Sequence, residues 1–287
     1  MKNSHRRLLE QVAQMAAEGE FGESIKSAQR EYDQLPAGMA ILLKTVLDFC
    51  AETSHHESEI AQIRSLACQL LIVAYREAKR KDAAIALSFA HSFIEDYPGV
   101  PESSLLPQWC SLAQASLAFR EMAHSESRLL VWQQSCKQFQ AYNEFLNGLF
   151  GYLIVLWRAS RGRSVNIQVF DATYASKISQ FSSLTGGEDG PFYLFCRFAR
   201  PRIRNAIAHE TIWLDPDAAK VRFIEGRNPK LESEMELVEF MALASIGSHL
   251  AHAYLAAIAV ITIMEEGTDF AKNLMPPELV RVFTHVR

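Results

Sequence analysis

The sequence predicts an all-α fold: a helical bundle with a short β-hairpin insertion, preceded by an N-terminal region of helical hairpins. Two observations lead to this fold class. Apolar residues recur at spacings of three and four along most of the chain, with strong helix formers between them. Residues with a strong β preference are concentrated near positions 211–224, on either side of a turn.

The composition is that of a globular protein with a substantial core. Of the 287 residues, 49% are hydrophobic and 22% are charged, and the net charge of −4 gives no overall attraction for RNA or an anionic membrane. The charge is uneven, because residues 131–210 contain nine Lys or Arg and five Asp or Glu. This window therefore carries +4 and the remainder of the chain −8. Any affinity for RNA is expected to come from this region.

The cysteines favour a reducing environment. There are five, they are scattered, and they form no Cys-x-x-Cys pair, so neither a disulfide framework nor a zinc site is indicated. The first residues, MKNSHRRLLEQ, lack the apolar run of a signal peptide. We therefore expect a cytoplasmic protein.

Residues 1–100 are predicted to be a helical region that binds or senses a partner. Helices are expected over 4–18, 21–35, 38–52, 57–80 and 82–96. The first two resemble a tetratricopeptide-like hairpin, whose turn, second-helix and exit positions are occupied by Gly19, Phe21, Ile25 and Pro36. An ordinary helical bundle is the alternative. The segment 97–107, YPGVPESSLLP, is the predicted boundary.

Residues 108–287 are predicted to be the second domain. The expected elements are helices over about 108–122 and 126–158, a strand or extended lead over 165–170, a helix from Asp171 to about Ser183, and a loop over 185–191. A further helix begins near Phe192 and meets Pro201, which should kink or restart it.

The end of the chain combines a hairpin and an apolar helix. Two β-prone runs flank Asp215-Pro216-Asp217, which predicts the hairpin. Ser233 and Glu236 match a capping box, so a helix is expected to start there and to include residues 240–264. That stretch is uncharged and long enough to span a bilayer. Its acidic flanks and its internal histidines and serines favour a buried bundle helix, so we expect no membrane association.

The stretch RIRNAIAHE, residues 202–210, carries the most specific pattern. An arginine is followed directly by a polar residue and, after three more residues, by a histidine: Arg204, Asn205 and His209. Together with the long helix pair upstream and the hairpin and apolar helix downstream, this pattern resembles the signature of the HEPN superfamily (higher eukaryote and prokaryote nucleotide-binding domains). The resemblance extends over about 108–287.

The resemblance implies a metal-independent endoribonuclease, often a toxin or an abortive-infection effector of phage defence. It also implies a four-to-five-helix bundle that forms a homodimer in which both motifs line one cleft. No metal and no cofactor are then expected, RNA is the substrate, and the N-terminal helices are available to an antitoxin or another protein partner.

The residue chemistry agrees with this interpretation. RNA can be cut without a metal when its 2′-hydroxyl attacks the adjacent phosphorus, which needs a base and a cation. The imidazole of His209 is the type of group that exchanges protons near neutral pH. The guanidinium of Arg204 fits a phosphate through two hydrogen bonds, and Asn205 can orient either partner. The motif is therefore the predicted catalytic site.

Two neighbouring features extend the prediction. Arg200 and Arg202 are expected to bind the RNA backbone, whereas the cluster of Arg158, Arg161 and Arg163 is a weaker candidate. Residues five positions apart lie about 140° apart on an ideal helix. We therefore expect either that the motif helix ends or distorts near Ala208, or that two copies of the chain build the cleft.

Other interpretations stay open. The chain could be a catalytically inactive HEPN-like module that binds RNA, a nucleotide or a protein, or it could be a helical scaffold. A histidine in a last helical turn can also simply favour the helix dipole. His249 and His252 have a spacing that metal sites use, but no carboxylate or cysteine accompanies them, so buried polar groups are expected instead.

Overall fold

The computed structural model describes residues 14, 16–19, 23–54, 59–122, 124–225, 231–246 and 248–284. These residues form a mainly helical bundle with one small antiparallel sheet, which confirms the predicted fold class. The predicted helix over 4–18 and Phe21 of the predicted hairpin lie largely or wholly outside the described residues.

The described residues of the first half of the chain form helices joined by turns and loops. Its helices are α1 (Glu23–Glu31), α2 (Ala37–Ser54), α3 (Glu59–Lys81), α4 (Ala83–Ala90), α5 (Leu106–Met122) and α6 (Arg128–Ser160). Most of their bounds lie close to those that the apolar spacing predicts, but α1 ends four residues and α4 six residues before the predicted ends at 35 and 96. α6 is the longest, with 33 residues. Among the elements that follow it, α7, α9, α10 and α11 pack against α6.

The second half alternates short helices with the sheet. Its elements are a 3₁₀ turn (Ile167–Val169), α7 (Tyr174–Thr185), a 3₁₀ turn (Gly187–Asp189), α8 (Tyr193–Phe198), α9 (Pro201–Ala208), β1 (Ile212–Asp215), β2 (Lys220–Glu225), β3 (Leu231–Glu236), α10 (Leu237–Ile246), α11 (Ser248–Glu266), α12 (Asp269–Asn273) and α13 (Pro277–Thr284). Residues 165–170 thus form a turn and not a strand.

The sheet has the order β1-β2-β3 with antiparallel pairing throughout. The predicted hairpin is β1 and β2, joined at Asp215-Pro216-Asp217. The third strand was not predicted. Ser233 lies within β3, paired with Phe223, and Glu236 is the last residue of that strand. The predicted capping box is therefore wrong: pairing with β2 keeps these residues extended, and the helix begins at Leu237.

α11 is the centre of the larger hydrophobic core. It packs against α2 and α3, and it also contacts α6. Tyr254 of α11 is fully buried, and its hydroxyl group lies 2.7 Å from the hydroxyl group of Ser92. Helices from both sides of the proline-rich segment 97–107 contribute to this core. The two regions predicted from the sequence therefore share one core.

A second, smaller core lies at the other end of α6. It contains Trp132 and Phe139 of α6 together with residues of α9, β2 and α10. Phe240 of α10 packs against both aromatic rings, with centroid distances of 5.3 Å to Trp132 and 5.4 Å to Phe139. This core fixes the motif helix α9 between α6 and the sheet.

The apolar segment over residues 237–266 contributes buried side chains to both cores. Residues 237–266 are long and apolar enough to cross a membrane by length and composition, but 75% of the most apolar window is buried inside the fold. The described residues of α10 pack into the smaller core, and those of α11 pack into the larger core. The chain's own helices already cover α11. Its apolar character therefore does not require a second copy of the chain.

Candidate active site

The motif helix α9 starts where the sequence predicts a break. α8 ends at Phe198, Ala199 and Arg200 are not helical, and Pro201 is the first residue of α9. Proline suits this position because its fixed φ angle matches a helix and its missing N–H group would have no helical partner there. Pro201 therefore restarts the chain in a new direction.

The other end of α9 is closed by a complete Schellman motif. His209 is the C-cap residue. The N–H group of Glu210 donates to the carbonyl of Ile207 at 3.1 Å, and that of Thr211 donates to the carbonyl of Ala206 at 2.8 Å. Glu210 has a φ angle of 54°, in the left-handed region. The predicted end of the helix near Ala208 is thus confirmed, and His209 leaves the helical path.

One face of α9 is anchored and the other is open. Ile203 and Ala206 are buried in the smaller core, with 3% and 2% of their surfaces exposed. Asn205 and His209 are exposed. The helix therefore holds its polar residues on a packed support while leaving them accessible to a ligand.

Arg204 lies between these faces and is held by two partners. Its Nε and Nη2 atoms lie 2.8 and 2.5 Å from Oε1 of Glu144 on α6. Its Nη1 atom donates to Oδ1 of Asn205 at 3.1 Å. The side chains of Arg204 and Glu144 are 27% and 36% exposed. The guanidinium group is therefore oriented but remains in contact with solvent.

Glu144 was not identified from the sequence. It is 60 residues from Arg204 along the chain, so no local pattern connects the two. One signal was present: Glu144 is the single acidic residue in the 33 residues of α6. An isolated carboxylate on a largely buried helix generally needs a cationic partner. That argument could have singled out the residue, but it could not have named the partner.

A buried polar network lies behind the Arg204–Glu144 pair. The Tyr174 hydroxyl group donates to Oδ1 of Asn143 at 2.9 Å. Burial, together with nearby groups that include Glu144, raises the pKa of Tyr174 well above its ordinary value. The tyrosine is therefore a neutral structural donor. Asn143, which shares a helix face with Asn147, thus lies near the motif but has its side-chain oxygen occupied.

His209 is accessible and lacks an orienting partner. The described residues provide no hydrogen bond or ion pair to its imidazole, so it is not joined to Arg204 or Asn205. The structure brings Arg204 and Asn205 together directly. It places His209 at the adjacent helix end, where its side chain is free to meet a ligand.

An open groove borders this helix end. It has a volume of about 500 Å³ and is lined by Trp132, Gln133, Cys136, Lys137, Ile207, Glu210 and Ile212. Lys137 and Glu210 are exposed, and no described residue forms an ion pair or hydrogen bond with either side chain. Burial raises the pKa of Cys136 to about 12, so its thiol is not a nucleophile at neutral pH.

The two predicted groups of arginines lie at different distances from the motif. Arg200 and Arg202 flank Pro201 at the start of α9 and are exposed. The other cluster, Arg158 to Arg163, lies at the opposite end of α6 from the smaller core. It is 14 or more residues beyond Glu144, which is roughly 20 Å or more along the helix axis. That cluster therefore does not belong to the motif site.

His249 and His252 lie on α11 and are half-buried. Their rings are 6.5 Å apart, and His252 also contacts the ring of Trp109 at 6.1 Å. Burial lowers the pKa of His249 to about 4 and that of His252 to about 3. In the part of the chain that the structure describes, no three His, Cys, Asp or Glu side chains cluster as metal ligands would. These histidines are half-buried polar groups.

Comparisons with protein-family models, with curated proteins and with solved structures find no match from which a family or an activity could be assigned to this chain.

Proposed function

We propose that this protein is a metal-independent endoribonuclease of HEPN type. The observation that carries the proposal is the placement of Arg204 and Asn205 on one short helix and of His209 at its C-cap, all at least partly exposed and next to a groove of about 500 Å³. The guanidinium is oriented by Glu144 and Asn205, as a group that must meet a phosphate would need to be.

The proposed reaction is attack by the RNA 2′-hydroxyl on the neighbouring phosphorus. His209 takes the proton of the hydroxyl group while the new P–O2′ bond forms. The P–O5′ bond breaks, and the leaving oxygen receives a proton. The products are a 2′,3′-cyclic phosphate and a 5′-hydroxyl group. DNA lacks the nucleophile and is therefore not a substrate.

Arg204 would stabilise the charge that develops on the phosphoryl oxygens. Both terminal nitrogens of a guanidinium carry two N–H groups, so each keeps a donor when one is used within the protein. Glu144 fixes the plane of the guanidinium but also offsets part of its charge. We assign Glu144 as a positioning residue. Arg200 and Arg202 would bind the RNA backbone beyond the scissile phosphate.

The proton for the leaving oxygen needs a second source. Since each copy of the chain has one motif, a homodimer with both motifs in one cleft would supply a second imidazole as the acid. In a cell, such an enzyme would act as a cytoplasmic toxin or phage-defence effector. The N-terminal helices would then be the surface for an antitoxin or another partner.

One observation favours a second function. Because Glu144 lies within 2.5 Å of the Arg204 guanidinium, the cation is partly neutralised before any ligand arrives. A site of this kind could bind RNA or a nucleotide without turning it over. This alternative predicts that RNA binds and is not cleaved. The remaining alternative, a helical scaffold, predicts neither.

The deciding experiment is cleavage of a labelled RNA by the pure protein in excess EDTA, with His209→Ala and Arg197→Ala compared. His209→Ala should abolish cleavage. Arg197→Ala should not, since Arg197 is exposed and its guanidinium contacts Tyr193 outside the motif. Cleavage that disappears with EDTA and returns with magnesium, or that survives in His209→Ala, would overturn the proposal.

A further inference from the structure

We infer that the groove beside His209 is a base-recognition subsite and that Glu210 selects guanine in it. The inference rests on the proposed function, because it concerns the nucleotide that flanks the scissile phosphate. It names a ligand class, the guanine base of single-stranded RNA, for a groove that the catalytic motif itself does not use.

The first argument is position. Glu210 directly follows His209, so their Cα atoms are about 3.8 Å apart. Both Glu210 and Ile207 line the groove, which therefore begins at the end of the motif helix. A phosphate held at Arg204 and His209 would place one of its two nucleotides at this groove.

The second argument is the backbone of Glu210. Its φ angle of 54° is at the C′ position of a Schellman motif, where glycine is strongly favoured because it has no Cβ atom. A glutamate there keeps its side chain at a conformational cost. Costs of this kind are concentrated at functional sites, where the side chain is needed. Its carboxylate has no partner among the described residues, so it is free to accept hydrogen bonds from a ligand.

The third argument is the hydrogen-bond pattern of the bases. A carboxylate only accepts hydrogen bonds, and two adjacent donors satisfy it best. On its Watson–Crick edge guanine presents two such donors, N1–H and N2–H. Adenine and cytosine present one donor next to an acceptor, and uracil presents one donor between two acceptors. Single-stranded RNA exposes this edge for recognition. A free carboxylate at this place therefore favours guanine.

The rest of the groove suits a nucleotide. Trp132, Ile207 and Ile212 provide apolar walls, and Trp132 is held in place by its contact with Phe240. Lys137 is exposed at the rim, without an ion-pair partner among the described residues, and can meet a phosphate. The groove thus offers apolar walls, an acceptor and a cation, which match the base, its polar edge and the backbone.

The test uses two RNA oligonucleotides of equal length, one of alternating guanosine and uridine and one of alternating adenosine and uridine. Cleavage and binding are both measured with the wild-type protein, Glu210→Gln and Glu210→Gly. We expect wild type to prefer the guanosine RNA by about 5-fold to 150-fold, the range of one good bidentate contact. Glu210→Gln should shift the preference toward adenosine, because a carboxamide pairs one donor with one acceptor.

Glu210→Gly separates the backbone strain at this position from recognition of the base by the carboxylate. It should lose the base preference and raise the melting temperature by about 2 °C. The matched control is Ala219→Gly, which relieves a similar φ angle of 52° in the β1–β2 turn. It should also raise the melting temperature and should keep the preference for guanosine.

Equal rates and affinities on the two RNAs, or an unchanged preference in Glu210→Gln, would overturn the inference. The proposed function would survive this result if cleavage still required His209. Conversely, Glu210-dependent binding of the guanosine RNA without cleavage would uphold the subsite and remove the nuclease proposal. Failure of the wild type to bind or cleave either RNA would overturn both.

Discussion

Arg204 would meet a phosphate with only those N–H groups that Glu144 and Asn205 leave free. The Nε and both terminal nitrogens are engaged within the protein, but each terminal nitrogen keeps one N–H group. A lysine has a single nitrogen at this position. It could retain the pair with Glu144, or it could reach a phosphate, but it could not reproduce the planar group that does both.

We therefore expect Arg204→Lys to lower the rate of RNA cleavage by about 100-fold, the effect of removing one preorganised donor. The melting temperature should change little, because a partly exposed ion pair contributes about 1 kcal/mol or less. The measurement is the initial rate on labelled RNA together with thermal unfolding. The matched control is Arg197→Lys, outside the motif, which should keep full activity. A fully active Arg204→Lys protein would show that the arginine is structural.

At the scale of single residues, the sequence predicted the motif but not its support. Arg204, Asn205 and His209 were recognisable because they are close together in the chain. Glu144 was not, because only the packing of α9 on α6 brings it to Arg204. Glu210 was also missed as a candidate, since its left-handed conformation follows from the Schellman motif and not from its residue type.

At the scale of elements, local signals succeeded where nothing competed with them. Pro201 started a helix, and the β-prone residues after His209 ended it, as expected. Ser233 failed as a helix cap because pairing with β2 offered its backbone more hydrogen bonds than a helix terminus would. The apolar pattern over 240–264 predicted burial but could not show that two different cores would share it.

Helix α11 should make the protein sensitive to acid. The pKa values of His249 and His252 are lowered to about 4 and about 3 from an ordinary 6.5, so both rings are neutral in the folded state at pH 5. The unfolded chain takes up these protons as the pH falls below about 6.5, and the folded chain does so only below about 4. The free energy of unfolding should therefore decrease between these pH values, by up to about 2 kcal/mol per histidine from pH 7 to pH 5.

Urea unfolding at pH 7 and pH 5 measures this decrease. The variants His249→Gln and His252→Gln should each show a smaller decrease than the wild type, whatever their stability at pH 7. An exposed histidine, changed in His124→Gln, is the control and should behave as the wild type does. Decreases of equal size in all four proteins would contradict the assignment of α11 as the acid-sensitive element.

At the scale of the whole molecule, α6 connects the two cores. Its N-terminal half belongs to the smaller core with the motif helix, and the rest packs with the helices of the larger core. The chain's own helices cover α11, so this helix gives no reason for two copies to associate. The expectation of a homodimer depends instead on the chemistry of the site. The proposed reaction needs both a base and an acid, and each chain provides one motif histidine.

We expect a homodimer at micromolar concentration, measured by light scattering. We also expect an excess of His209→Ala to inhibit cleavage by the wild type, because a mixed dimer would contain one motif histidine and would lack either the base or the acid. The same excess of Arg197→Ala, which keeps the motif, is the control and should not inhibit. A monomeric protein with full activity, or a mixture with His209→Ala as active as the wild type alone, would exclude the shared cleft.

The chemical identity of the cleaved RNA ends tests the central claim most directly. Mass spectrometry of the products of the wild-type protein in EDTA is the measurement. If the 2′-hydroxyl is the nucleophile, the fragments must carry a 2′,3′-cyclic phosphate on one side of the cut and a 5′-hydroxyl group on the other. Fragments with a 3′-hydroxyl group and a 5′-phosphate would mean that water attacked the phosphorus, and would contradict the mechanism assigned to Arg204 and His209.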